Sequence, residues 1–212
     1  MEPVPPFFEP VDASPRPILP IERLAAALEV DLCSGFPTQF IIISVLTTFG
    51  MKTVLPGGAF SPPFVFTLTL TDTIVLVGLV LFLLRSHGES VRGTLFAHRS
   101  TLREALVGVL LIPASFLVAG LVLVLVQLTV PSLRNVLHNP LQDLARTRLD
   151  AAVFSLTVMI AGGVREEIQR GFVLHRFEQY LGGGWVGIMI FSIVFGLGHL
   201  EQGYDVALAT AA

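Results

Sequence analysis

Residues 106–130 (LVGVLLIPASFLVAGLVLVLVQLTV) run the length of a membrane span without one charged side chain. A bilayer's hydrocarbon core is crossed by a helix of about 20 mostly apolar residues, so this run constrains the fold more than any other. It does not stand alone. Residues 64–84 (FVFTLTLTDTIVLVGLVLFLL) repeat the pattern, broken only by Asp72, and residues 36–55 (FPTQFIIISVLTTFGMKTVL) form a weaker version that Pro56-Gly57-Gly58 stops. Shorter apolar stretches occur at 151–163, 185–200 and 206–212. The first of these is too short for a span unless its helix continues through Arg165-Glu166-Glu167. Pro113 lies inside the longest run and is expected to kink it, which membrane helices tolerate.

Composition agrees with this reading. The chain of 212 residues is 53% hydrophobic and 14% charged, with a mean hydropathy of +0.77. Soluble domains carry roughly 25% charged residues. The expected fold class is therefore all-α, a polytopic helical membrane protein. Its net charge is -3, and the twelve Arg and single Lys (Lys52) are scattered. That excludes the basic stripe of a nucleic-acid-binding protein. A single cysteine, Cys33, excludes an intramolecular disulfide and any cysteine-based metal site.

Residues 1–20 hold seven prolines and lack the basic start of a signal peptide, so the segment 1–30 reads as a Pro-rich tail. Residues 31–149 then read as membrane helices with their loops, and 150–212 as the region that carries the chemistry. The loop 85–103 holds Arg85, Arg92, Arg99 and Arg103, which places it and the N-terminus in the cytoplasm by the positive-inside rule. Leu133, Leu137, Leu141 and Leu144 recur at near-helical spacing, and part of 133–149 is expected as an amphipathic helix lying on the membrane. The apolar run that begins at 206 has no stop signal before Ala212, so the chain reads as truncated in its last helix.

Two segments carry candidate chemistry. In Val164-Arg165-Glu166-Glu167-Ile168-Gln169-Arg170, adjacent carboxylates extend an apolar run. On a helix, Glu166 and Arg170 are i and i+4 and Glu167 and Arg170 are i and i+3, so one arginine can reach both acids. The plain alternative is a solvated helix end. In Phe195-Gly196-Leu197-Gly198-His199, a histidine closes a hydrophobic stretch, which is costly unless it faces a cavity or a partner. Phe195 and His199 share a face, and the two glycines allow close approach. Here the plain alternative is an interfacial histidine reaching water.

Taken together, E-E…R on one apolar helix and F-x-x-x-H on the next resemble the CPBP family of membrane proteases, which includes CAAX proteases and the bacteriocin-processing Abi group. The resemblance covers roughly residues 150–212 and rests on Glu166, Glu167, Arg170, Phe195 and His199. It departs from the family pattern in two places. The commonest first motif has three residues between the acids and the arginine, whereas here there are two, Ile168 and Gln169. A third motif, a histidine followed one turn on by Asn or Asp, has no counterpart before Ala212.

The resemblance implies an intramembrane endopeptidase that hydrolyses a peptide bond with an activated water. Its substrate would be a membrane-associated protein or peptide, a prenylated CAAX tail being one such. Glu166 would activate the water, His199 would hold it, Glu167 would orient the site, and Arg170 with Phe195 would support it. The third motif would supply oxyanion donors, each worth about 10²–10³ in rate. The implied setting is a multi-pass protein of a bacterial inner membrane, in contact with membrane lipids. No cofactor is obligatory, although Glu166, Glu167 and His199 could serve as ligands for zinc or another divalent metal. The strong zinc signature H-E-x-x-H is absent.

Two other functions use the same residues differently. A proton- or ion-coupled transporter would use the acids and His199 as a relay, and a non-catalytic immunity or scaffold protein would keep only the fold. Elsewhere, Asp72 could pair with a polar group of another helix or bond Thr67, Thr69, Thr71 or Thr73 of its own, and the local bonds are the expectation. His87, His98, His138 and His175 read as solvated or interfacial. Gly182-Gly183-Gly184 reads as a turn without the lysine of a phosphate loop.

Overall fold

In the computed structural model, residues 17–96 and 101–212 are described. Their regular secondary structure is helical, apart from one isolated bridge between Val54 and Phe60. Helix α1 spans Pro20–Leu32, α2 Phe36–Thr48, α3 Pro62–Ser86, α4 Val91–Phe96 and α5 Thr101–Thr129. Helix α6 (Arg148–Val158) runs through a π-helical stretch, Met159–Arg165, directly into α7 (Glu166–Tyr180). Helices α8 (Gly184–Leu197) and α9 (Tyr204–Ala211) complete the chain.

Among the described residues, α3 and α5 are long and apolar enough to cross a membrane, and α1 with α2 makes a third candidate span bent by 44°. Much of the apolar surface of these helices is exposed. Leu110, Phe116, Leu117 and Leu128 on α5 are each more than 70% accessible, a surface that only lipid or further helices can cover. This is an integral membrane protein.

Several expectations are corrected. The tail boundary at residue 30 falls too late, because α1 starts at Pro20. Proline fits the first helical turn, where its missing N–H bonds nothing. The tail residues before 17, and His98 and Arg99, lie outside the described residues. No amphipathic helix forms over 133–149. Two short 3₁₀ turns, Pro131–Leu133 and Pro140–Leu144, take its place. Pro140 removes the N–H that a continuous helix would need, and Leu137 is left 85% exposed while Leu144 is buried. The run 151–163 does continue through Arg165-Glu166-Glu167 as one helix. It starts on a capping box in which Thr147 accepts from the Asp150 N–H and Asp150 accepts from the Thr147 N–H.

The core that positions the site lies between α1, α3 and α7. Leu76, Val80 and Leu84 recur every four residues on one face of α3 and pack with Cys33, Phe172, Val173 and Phe177. Helices α8 and α9 pack closely. A Cβ on Gly196 would come within 2.7 Å of the Ala207 carbonyl oxygen, so only glycine allows that approach.

Candidate active site

Helix α7 reaches the site from a π-helical stretch. A π turn holds more residues than an α turn, and such bulges are frequent at functional sites. Gly162 and Gly163 fall inside this one. At its end, Arg165 and the following Glu166 both line a cavity of about 300 Å³. The other walls come from the α1–α2 corner (Ser34, Gly35), from Gln39 on α2, and from Phe191, Phe195 and His199 at the end of α8. Glu166 lies ten residues before Arg176 on α7, or about 15 Å along the helix axis. The level of Arg176 is marked by its ion pair to Glu89, in the loop after α3.

His199 is fixed by its own helix. Its Nδ1 lies 2.8 Å from the Phe195 carbonyl oxygen. A carbonyl only accepts, so Nδ1 carries the proton, and in the neutral ring Nε2 keeps a free lone pair. The imidazole also packs against the Phe195 ring, with centroids 4.8 Å apart, and Phe195 stacks on Phe191 at 5.9 Å. The i, i+4 spacing of 191, 195 and 199 produces this column.

The two adjacent acids part company. Glu167 is two-thirds exposed and its carboxylate lies 2.7 Å from Arg170 Nη1. Arg170 also sits over the Phe191 ring, 5.5 Å from its centroid. The ion pair of Arg170 is therefore with Glu167 at i+3 and not with Glu166 at i+4, and a single arginine does not bind both acids. Among the described residues Glu166 makes no hydrogen bond or ion pair, and it shares the cavity with His199.

Asp72 does not bond the threonines of its own helix as expected; Thr73, for one, donates to the Thr69 carbonyl. Asp72 is 2% exposed and lies 2.7 Å from Arg165 Nη2. It also accepts from Thr38 Oγ1 at 2.6 Å and Gln39 Nε2 at 3.3 Å. Gln169, buried on α7, donates to the Cys33 carbonyl oxygen at 2.8 Å and ties that helix to the α1–α2 corner. Sequence reasoning missed Arg165, Gln39 and Gln169. A signal for Arg165 was present, since a carboxylate in mid-span demands a cation.

The other histidines among the described residues are partnered as well. His87 lies 2.6 Å from Glu29, His175 3.0 Å from Glu89, and His138 3.5 Å from Asp143. Glu29 and Glu89 both bind the buried Arg176, at 2.5 and 2.7 Å. The turn at Gly182 and Gly183 has positive φ at both residues.

A metal held by Glu166, Glu167 and His199 does not fit this arrangement. Glu167 is turned outward to Arg170, and among the described residues no group of three His, Cys, Asp or Glu side chains converges on one point.

The fold and the cavity thus define a helical membrane protein with a free carboxylate and an oriented imidazole facing one space. Residues 148–212 match the family model described as type II CAAX prenyl endopeptidase, Rce1-like. This agrees with the resemblance seen in the two motifs. No curated protein and no solved structure matches the chain.

Proposed function

We propose that the protein is an intramembrane endopeptidase in which Glu166 and His199 act on one water molecule. The observation that carries this reading is their shared cavity of about 300 Å³, with Glu166 free of any ion pair among the described residues. A water there could donate one hydrogen to the Glu166 carboxylate and the other to His199 Nε2. Its lone pair is then free to attack. Glu166 takes the proton as the water oxygen bonds to the peptide carbonyl carbon, and returns it to the nitrogen as the C–N bond breaks. General base help of this kind contributes about 10²–10⁴ in rate.

Glu167 and Arg170 form a pair that braces the helix face behind Glu166, and Phe195 holds the imidazole plane. The substrate is a membrane-associated protein or peptide, a reading supported by the matched family's description. With the arginine-rich loop cytoplasmic, the cavity lies within reach of a tail anchored at the inner face. A cleavage assay in liposomes on a farnesylated CAAX peptide, comparing wild type with Glu166→Gln and His199→Ala, tests the proposal. Cleavage that survives both substitutions unchanged would sink it.

A further inference from the structure

Glu166 is flanked in sequence and in space by cations, yet among the described residues it pairs with none. Arg165 precedes it and shares the cavity wall, and the fields of Arg165 and Arg170 both reach its carboxylate. Each arginine is engaged by another acid, Arg165 by Asp72 and Arg170 by Glu167, both at 2.7 Å. Asp72 is itself held by Thr38 and Gln39 of α2. Arg165 has little freedom to leave. Its side chain is 11% exposed, its Nε is buried without a partner, and Gly35 supplies the space for its Nη2. A Cβ at Gly35 would lie 2.5 Å from that nitrogen.

We infer that Asp72 is a positioning residue of the active site. It draws the Arg165 guanidinium towards α3 and so keeps the neighbouring Glu166 carboxylate unpaired. The inference deepens the catalytic reading of Glu166 and rests on it for its functional meaning, but its structural claim stands without it. A buried arginine that loses its acid is left as an uncompensated charge, and removing one partner of such a pair is strongly unfavourable. The nearest remaining remedy for Arg165 in the cavity is Glu166. Asp72→Asn should then create an Arg165–Glu166 pair and quench the site. Removing the freed cation in Asp72→Asn/Arg165→Gln should undo the effect.

The test has two arms. In the first, the protein in detergent is treated with dicyclohexylcarbodiimide, which modifies protonated carboxyl groups in apolar surroundings, and labelling of Glu166 is followed by mass spectrometry. Labelling should fall about tenfold in Asp72→Asn, because an opposite charge within reach favours the ionised form that does not react. It should return to within about threefold of wild type in the double variant, which keeps the surroundings but not the cation. In the second arm, cleavage of the farnesylated CAAX peptide should lose kcat in Asp72→Asn with little change in KM, and regain it in the double variant. Should Asp72→Asn fail to fold, the double variant decides alone. If it is folded but neither labels nor cleaves, the inference is overturned, because the pair is then needed for itself. Equal labelling of Glu166 in wild type and Asp72→Asn also overturns it. Unchanged cleavage in Glu166→Gln with the labelling pattern intact removes the catalytic reading and leaves the positioning of Arg165 standing.

Discussion

The Phe195 carbonyl oxygen, in the last turn of the apolar helix α8, accepts a hydrogen bond at 2.8 Å from Nδ1 of His199, two residues beyond that helix. The bond chooses the tautomer of the ring and leaves Nε2 as an acceptor on a residue that lines the cavity. In the proposed mechanism this lone pair is the second acceptor for the attacking water. His199→Ala is expected to lower kcat by about 10²–10⁴, the usual worth of acid–base assistance, in the peptide-cleavage assay. The melting temperature in detergent should shift little, since the histidine is only half-buried. A large loss of melting temperature would show that the ring acts in packing instead.

The two acids of the first motif are expected to differ. Glu166 lines the cavity, while Glu167 is exposed and paired with Arg170. An exposed pair contributes about 0.2–1 kcal/mol. Glu167→Gln should therefore leave stability almost unchanged and reduce cleavage by less than Glu166→Gln does. Parallel rate measurements on the two variants check the order, and equal losses would contradict the separation of roles.

Helix content and the two motif helices were legible in the sequence because long uncharged runs have few alternatives in a membrane. The site's supporting contacts were not. A helical projection places Arg170 equally within reach of Glu166 and Glu167. Which acid takes the arginine follows from which side of α7 faces the cavity, and that is set by the packing of α7 against other helices rather than by spacing within it. The partner of Asp72 lies some 90 positions away in the chain, at Arg165. Periodicity within one helix gives no access to such a pair, although the cost of an unpaired carboxylate in mid-span could have prompted the search. The leucine spacing over 133–149 misled for a local reason, since Pro140 cannot sit inside the helix it suggested.

The ionic cluster at the other end of α7 is expected to be a main support of the fold. Arg176 is 1% exposed, binds Glu29 of α1 and Glu89 of the loop after α3, and lies over the Phe172 ring at 4.7 Å. Removing one partner of a buried pair costs about 3–5 kcal/mol. Arg176→Gln should lower the melting temperature in detergent sharply, while Arg170→Gln on the exposed face should not. A thermal melt of the two variants side by side reads this directly, and similar melting temperatures would show that the cluster carries little of the stability.

The contact between α8 and α9 sets how the cavity's histidine-bearing helix is held from behind. Gly196 lies three residues before His199, and its missing side chain lets the Ala207 carbonyl and Ala211 approach. A Cβ there would stand 2.7 Å from backbone oxygen and 2.8 Å from the Ala211 Cβ. Neither obstacle is a flexible side-chain tip, so one helix must move. Overpacking of this kind costs about 1–3 kcal/mol. Gly196→Ala is therefore expected to lower the melting temperature and to cut kcat as well, because a tilt of α8 carries His199 with it. Gly198→Ala meets only backbone of its own turn, at 3.3 Å or more, and should cost less stability. Measuring both variants by thermal melt and by cleavage separates the two positions, and a Gly196→Ala protein with unchanged melting and rate would show that α9 yields without disturbing the site.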